Sequence, residues 1–273
     1  MRRPVVFLSD FGLADGFVGV CHGVIARALP GCQVIDLTHG VAPQRVRRGA
    51  LLLARSVSFM PRDAVYLAVV DPGVGGERRA VAVRAASGAF LVGPDNGLLS
   101  PAWEALGGVA GACSIEAADV VLRPTSATFH GRDVFAPAAA HLAGGGPLEG
   151  LGPVVDPASL VRLDVPAAGV SPGMLRCAVL DVDRFGNVEL SATVDDLGSA
   201  GLAAAAELLI ETPKDRTAVP RIRTFADVEP GRTGLLVDSS GWLTIIVARA
   251  SAADRFGLRE DDAVTVRASG AGG

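Results

Sequence analysis

What most constrains this chain is a change of hydrophobic period halfway along it. In the first half, four short apolar runs, "PVVFLSD" (4–10), "QVIDLTH" (33–39), "AVYLAVVD" (64–71) and "AFLVGPD" (89–95), are rich in Val, Leu and Ile without alternation. That is the pattern of strands buried on both faces. Between them, residues 16–31 and 43–61 carry helical spacing and close on glycine or proline, and further helices are predicted over 97–106 and 133–145. Strands alternating with helices give βαβ units and a mainly parallel sheet. From residue 144 the chain turns dense in Gly and Pro, and 144–173 reads as a linker. Beyond it come short strands separated by turn residues, with a brief helical stretch near "SAADRFGL" (251–258). The predicted architecture is α/β: an N-terminal βαβ domain over 1–165 and a smaller antiparallel, barrel-like β domain over 174–273.

With 273 residues, 49% of them hydrophobic, the chain can bury a large core. A net charge of −4 and the lack of basic clusters interleaved with aromatics argue against a nucleic-acid partner and leave a small ligand as the expectation. The apolar run in "MRRPVVFLSDFG" is broken at Ser9 and Asp10, too early for a signal peptide or a membrane span, so cytoplasmic placement and no membrane partner are expected. Cys21, Cys32, Cys113 and Cys177 lie far apart without a C-x-x-C pair; buried, unreactive thiols are expected.

Ligands of open parallel sheets bind beyond the carboxyl ends of the strands. Four predicted strands end there in polar residues: Ser9-Asp10, Thr38-His39, Asp71 and Asp95-Asn96. One such acid is ordinarily a cap or a turn former, but several on one edge point to a site. "VVDPGVGGERR" (69–79) sets Asp71 and Arg78 on either side of a glycine-rich bend, which is either a structural ion pair or part of a site. "TFHGRD" (128–133) adds His130, followed by Gly131, where open space is expected. Together Asp71, Arg78 and His130 could hold and polarise one water molecule. Asp10, at the end of the first strand, suits ribose hydroxyls, although "SDFGLADGF" is not a G-x-G-x-x-G dinucleotide loop. No G-x-S-x-G nucleophile elbow is read, since the one match, "GVSPG" (169–173), lies in the Gly- and Pro-rich stretch and not between an apolar strand and a helix, and no H-E-x-x-H metal helix is present.

"FLSDFG", "VIDLTHGVAP", "VVDPGVGGERR", "VGPDNGLL", "TFHGRD" and "DRFGN" (183–187), in this order along nearly the whole chain, resemble the S-adenosyl-L-methionine (SAM) hydrolases, also called SAM hydroxide adenosyltransferases, relatives of the fluorinases and chlorinases. The resemblance implies an α/β domain followed by a β-barrel, a homotrimer with active sites at subunit interfaces, SAM as substrate, and no metal or other cofactor. It implies that Asp71, Arg78 and His130 are the water-activating triad and that Asp10 binds the ribose. Asp183, Phe185 and Asn187 match residues at the methionine end or the base edge, and Ser239 matches another methionine contact. Fluorinases carry a serine at the position of Gly131 and lack the hydrolase Asp and His; here Gly131, Asp71 and His130 all take the hydrolase form. Ser240 departs from the family pattern, which has arginine in fluorinases.

The implied reaction is attack of water at C5′ of SAM, giving adenosine and methionine. The leaving group is a neutral thioether, so only the nucleophile needs help: Asp71 as base, Arg78 holding the forming hydroxide, His130 fixing geometry. An apolar sulfonium pocket is expected, with carboxylates at the ribose and amino-acid ends, because an acid on sulfur would stabilise the substrate cation more than the transition state. The alternatives are a SAM-dependent halogenase, a non-catalytic SAM or adenosine sensor, and a metal-dependent phosphohydrolase built on Asp10, Asp71 and His39.

Overall fold

The computed structural model describes residues 2–269. The chain divides into two compact units, Met1–Asp164 and Val165–Gly273. The first holds strands β1 (Val5–Ser9), β2 (Val34–Thr38), β3 (Val65–Val69), β4 (Ala80–Ala85), β5 (Phe90–Pro94) and β6 (Val109–Ser114), and helices α1 (Phe17–Ala28), α2 (Val46–Ser56), α3 (Ser100–Ala105) and α4 (Ala136–Ala143). They form one six-stranded sheet in the order β2-β1-β3-β5-β4-β6. β2, β1, β3 and β5 run parallel, whereas β4 is antiparallel to both its neighbours.

The unbroken apolar runs are explained by helices on both faces. Val5, Phe7, Val65 and Leu67 point into one core with Cys21 and Ile25 of α1 and Ala139 and Leu142 of α4. Val6, Leu8, Tyr66 and Ala68 point into a second core with Ala50 and Leu53 of α2 and Ala102 and Trp103 of α3. Successive residues of one strand thus fill opposite layers. Each such side chain contributes about 1.5–3 kcal/mol of burial, so the central strands are fixed in register, and with them the residues at their ends.

In the second unit the strands pair antiparallel: β7 (Gly169–Ser171), β8 (Met174–Val182), β9 (Val188–Thr193), β10 (Glu207–Glu211), β11 (Arg216–Pro220), β12 (Thr233–Val237), β13 (Trp242–Val247) and β14 (Ala263–Ala268). Their order is β11-β10-β14-β8-β9-β13-β12, with β7 beside β8. An Arg221–Leu235 bridge joins the chain beyond β11 to β12, so the two ends of the order meet and the sheet nearly closes into a barrel. Two short helices, α5 (Val194–Ser199) and α6 (Ala252–Phe256), complete the unit. The Thr193 hydroxyl and the Asp196 carboxylate cap α5 reciprocally, a signal present in "TVDDL" and not among the expected helices.

The expected architecture is the observed one, with three differences in detail. β4 and β6 are additional: "AVAVRA" and "VAGACS" carry small residues where the parallel strands carry Val, Leu and Ile, and do not stand out in a half read for parallel strands. The stretch from 144 to about 160 is no free linker. The Ser114 and Val155 amides donate to the carbonyls of Pro153 and Ala112, and Leu148, Leu151, Val155 and Leu160 are buried in the first unit's cores. Glycine and proline mark a strap whose backbone bonds are made with the sheet edge. Finally, Cys32 is half-exposed, not buried like Cys21, Cys113 and Cys177; burial pushes the Cys21 and Cys177 thiols up to about 12.

Candidate active site

In the first sheet Ser9 pairs with Val69, so the chain leaves adjacent strands almost together, at Asp10 after β1 and at Asp71 after β3. The Asp71 carboxylate is buried against Arg78. Nε donates to both carboxylate oxygens at 3.0 Å, and Nη2 donates to Oδ2 at 2.5 Å. The side chains are 5% and 11% exposed, so the pair is sheltered from solvent screening. Between them Gly75 adopts φ +76°, and a Cβ there would stand 2.2 Å from the Ala127 carbonyl oxygen. Only glycine lets this loop lie directly on the segment that precedes His130.

His130 completes a chain of contacts. Arg78 Nη2 lies 2.7 Å from its Nδ1. A guanidinium can only donate, so Nδ1 accepts and the ring proton sits on Nε2. Burial, followed by the Arg78 charge, holds His130 below the usual imidazole range, the nearby Asp71 and Asp133 carboxylates opposing only in part. The ring is therefore neutral near pH 7, with one N–H to offer. Arg78 is the middle link of the three, and His130 reaches Asp71 through it.

A single π-turn, Gly131–Phe135, follows His130 and leads into α4. Such turns are frequent at functional sites. The open space expected at Gly131 is not there: a Cβ would meet the Phe11 ring at 2.8 Å and Phe129 at 3.4 Å. Phe11, Phe17 and Phe129 form a triangle of tilted and edge-on contacts with centroids 5.3–6.1 Å apart, and Phe11 fills the position. The aromatic residues of "SDFG", "DGF" and "TFHG" thus build one apolar wall, which turn-centred reading of these segments overlooks.

The other strand ends divide. Asp10 Oδ2 accepts the Gln44 amide at 2.9 Å, with Gln44 held at φ +67°, a conformation that L-residues adopt only under constraint. Asp95 is committed to structure, accepting from Arg79 Nε at 2.8 Å and from the Val161 amide at 2.8 Å. Asn96 likewise donates to the Val70 carbonyl and accepts from the Leu98 amide. His39 is buried, its Nδ1 2.8 Å from Ser9 Oγ.

In the second unit, the loop from Asp183 to Asn187 joins β8 to β9. Asp183 Oδ1 accepts the amides of Phe185 and Asn187, and Oδ2 accepts Asn187 Nδ2 at 2.7 Å. Asp183 therefore shapes the loop that presents the other two. Gly186, at φ +81°, packs where a Cβ would stand 2.2 Å from Ser251 Oγ. Phe185 and Asn187 line a cavity of about 540 Å³ with Phe225, Val247, Arg249, Ala250 and Ser251. Phe185 and Phe225 remain 64% and 57% exposed although aromatic side chains of this size are usually buried. Ser239 lies in the β12–β13 turn and is not part of this lining. Four lining residues, Phe225, Arg249, Ala250 and Ser251, come from segments that no motif singled out; Arg249, at φ +57°, marks its loop only in three dimensions.

Residues 5–152 match the SAM hydroxide adenosyltransferase N-terminal domain and residues 177–265 its C-terminal domain. The chain is 48% identical over 268 residues to an (R)-S-adenosyl-L-methionine hydrolase of Salinispora tropica, with 97% of each chain covered. It is 44% identical to a protein of that name from Thermus thermophilus, covering 94% of this chain and 97% of the relative. A fluorinase of Actinopolyspora mzabensis is more distant, at 31% identity with 98% of each covered. Among solved structures, a conserved protein of Thermotoga maritima superimposes with a TM-score of 0.89 at 33% identity, covering 96% of this chain and 99% of the other. The motifs, both domains and the fold lead to one conclusion: this chain belongs to the SAM hydroxide adenosyltransferase family.

Proposed function

We propose that this protein hydrolyses SAM to adenosine and L-methionine, with water attacking C5′ and Asp71, Arg78 and His130 holding that water. The observation that carries the reading is the buried Asp71–Arg78–His130 chain beyond the carboxyl edge of a parallel sheet, in a protein whose relatives at 44–48% identity bear the name SAM hydrolase.

Each group has a role that its geometry supports. As the water oxygen bonds to C5′, the C5′–S bond breaks and its electron pair stays on sulfur, releasing neutral methionine. The water proton passes to the Asp71 carboxylate and then to solvent. Arg78 keeps the carboxylate fixed and its positive charge compensates the forming hydroxide. Neutral His130 presents Nε2–H, a donor that orients the water oxygen. General-base assistance contributes about 10²–10⁴-fold, and fixing the water in line with the breaking bond contributes up to about 7–11 kcal/mol. Nothing in this scheme calls on a metal or a cofactor.

Recognition is assigned in the same proposal. Asp10 binds the ribose hydroxyls. The Phe185–Phe225 cavity takes the adenine, whose flat faces suit two aromatic side chains and whose edge suits the Asn187 amide. Asp183 and Ser239 serve the methionine end, Asp183 through the loop it shapes. The crowding at Gly131 favours hydrolysis over halogenation, since a serine there would have to displace Phe11. The homotrimer belongs to the proposal as well, and light scattering tests it against the chain mass of 27.8 kDa.

The deciding assay incubates purified protein with SAM and a chelator, with and without chloride or fluoride, and identifies the nucleosides by mass. Adenosine and methionine in equal amounts, independent of halide, is the expected result. A 5′-halo-5′-deoxyadenosine would establish the halogenase instead, and SAM bound but unchanged would establish a sensor.

A further inference from the structure

We propose that His22, Asp36 and His39 form a binding site for one divalent transition-metal ion, of which zinc is the best-suited example, separate from the residues assigned to SAM hydrolysis. His22 comes from α1, Asp36 from β2 and His39 from just beyond β2. Both Nε2 atoms converge on one carboxylate oxygen: Asp36 Oδ1 lies 2.8 Å from His22 and 3.1 Å from His39. The three atoms all lie within 4.8 Å of one another.

The independent pointer is His39. Its side chain is 2% exposed, yet its Nε2 is buried without a hydrogen bond, because the contact with Asp36 has the length of an ion pair but not a hydrogen bond's direction. An imidazole nitrogen in that position is costly unless something else completes it. The rest of the ring is fixed. Ser9 Oγ meets Nδ1 at 2.8 Å and Phe7 packs edge-on at 4.6 Å, so Nε2 is aimed and cannot turn away. Metal-bound histidines ordinarily have their second nitrogen held in this way. His22 and Asp36 are 34% and 43% exposed at the side chain, which provides an entrance and room for coordinated water.

Two imidazoles and one carboxylate, with positions left for water, favour zinc and its first-row neighbours over magnesium or calcium, which prefer oxygen donors. Tetrahedral zinc at about 2.0–2.1 Å from each ligand needs them roughly 3.3 Å apart. The two contacts to Asp36 need to open by a few tenths of an ångström, and the two imidazole nitrogens, within 4.8 Å of each other, need to reach the same spacing, adjustments that the partly exposed His22 and Asp36 can supply. The His39 carbonyl accepts the Gly12 amide at 2.8 Å, and Ser9 Oγ accepts the Phe11 amide at 3.3 Å. An ion here would therefore brace the turn that carries Asp10.

The test reads binding and does not depend on turnover. Chelator-stripped protein is titrated with Zn²⁺ by calorimetry, with Mg²⁺ as the comparison cation, and melting is followed in parallel. One Zn²⁺ per chain at low micromolar Kd or tighter is expected, with Tm raised by about 3 °C or more at saturation and no response to Mg²⁺. His22→Gln and Asp36→Asn, at partly exposed and exposed positions and therefore expected to fold, should each weaken binding at least 10-fold, in the range seen when a ligand or its support is removed. No Zn²⁺ binding by the folded wild type at 100-fold excess over protein, or binding unchanged in both variants, overturns the site. Equal binding of Mg²⁺ overturns the metal class.

Discussion

The candidate sites of the two units are built from different chemistry. In the first, the candidate groups are charged or titratable and bind one another across loops, with Asp71 just after β3, Arg78 just before β4 and His130 at the start of the π-turn: Asp71 to Arg78, Arg78 to His130. In the second, the cavity is lined by aromatic and backbone-held residues, and Asp183 beside it holds the loop that presents Phe185 and Asn187. A network of charges depends on every member, because removing one leaves another buried and unpaired. An apolar cavity loses affinity gradually as its walls are trimmed. The first unit should therefore respond to substitution in turnover and the second in binding.

The largest effect is expected at the central link. Arg78→Met leaves the Asp71 carboxylate, 5% exposed, without its partner. It should lower kcat about 10³-fold and cost about 3 kcal/mol of stability, read by single-turnover kinetics and denaturant unfolding. If kcat held and only KM rose, the contrast between the units would collapse. Asp71→Asn keeps the shape and removes the charge; it should lower kcat at least 10²-fold while SAM affinity, measured by calorimetry, stays within about threefold.

Gly75 links the two loops of the first unit, and its replacement tests whether placement alone matters. Gly75→Ala brings a Cβ against the Ala127 carbonyl at a positive φ and should cost about 2 kcal/mol, with turnover falling through displacement of the Arg78 and His130 loops. A smaller, different response is expected in the second unit. Phe225→Ala removes one aromatic wall of the cavity and should raise KM about 10-fold, with kcat changed less than threefold. A comparable loss of kcat there would show that recognition and chemistry are not divided as proposed.

The same contrast explains what the sequence disclosed. Asp10 and Asp71 stand out in the sequence because an acid at the end of an apolar run is conspicuous, and parallel topology brings such ends to one edge; Arg78 and His130 stand out only through the glycine-rich bend and the "TFHGRD" segment that carry them. The linkage between them was less so: "DPGVGGERR" shows that Asp71 and Arg78 face a bend, but not that Arg78 stands between Asp71 and His130. Gly131 misled, because a missing side chain reads as space whereas Phe11, 120 residues earlier, fills it. Phe225, Arg249 and Ser251 were illegible for a related reason. They lie on two separate connections of an antiparallel unit, Phe225 before β12 and Arg249 with Ser251 between β13 and α6, where loop conformation, such as the left-handed backbone of Arg249, decides what faces the cavity. The glycine- and proline-rich strap over 144–160 shows the same limit: composition reports that a segment is irregular, not whether its backbone bonds are made.

The smallest effect concerns protonation, and its sign distinguishes a held histidine from a free one. His130 is depressed below 6.5 by burial and by Arg78, so the unfolded chain binds a proton at this position more readily than the folded one. Stability from this group is fully present above pH 6.5 and is lost as pH falls from 6.5 through the depressed folded value. Activity should follow the folded value: kcat/KM should stay level as pH drops through 6.5 and decline only below it, when the ring gains a second proton and Nδ1 can no longer accept from Arg78. In His130→Asn the low-pH loss of Tm should be shallower than in the wild type, and the corresponding limb of kcat/KM should vanish while the residual rate stays measurable. An acid limb centred at or above pH 6.5 in the wild type would mean that a carboxylate outweighs Arg78 at this ring, and the Arg78-centred arrangement would have to be redrawn around a direct Asp71–His130 contact.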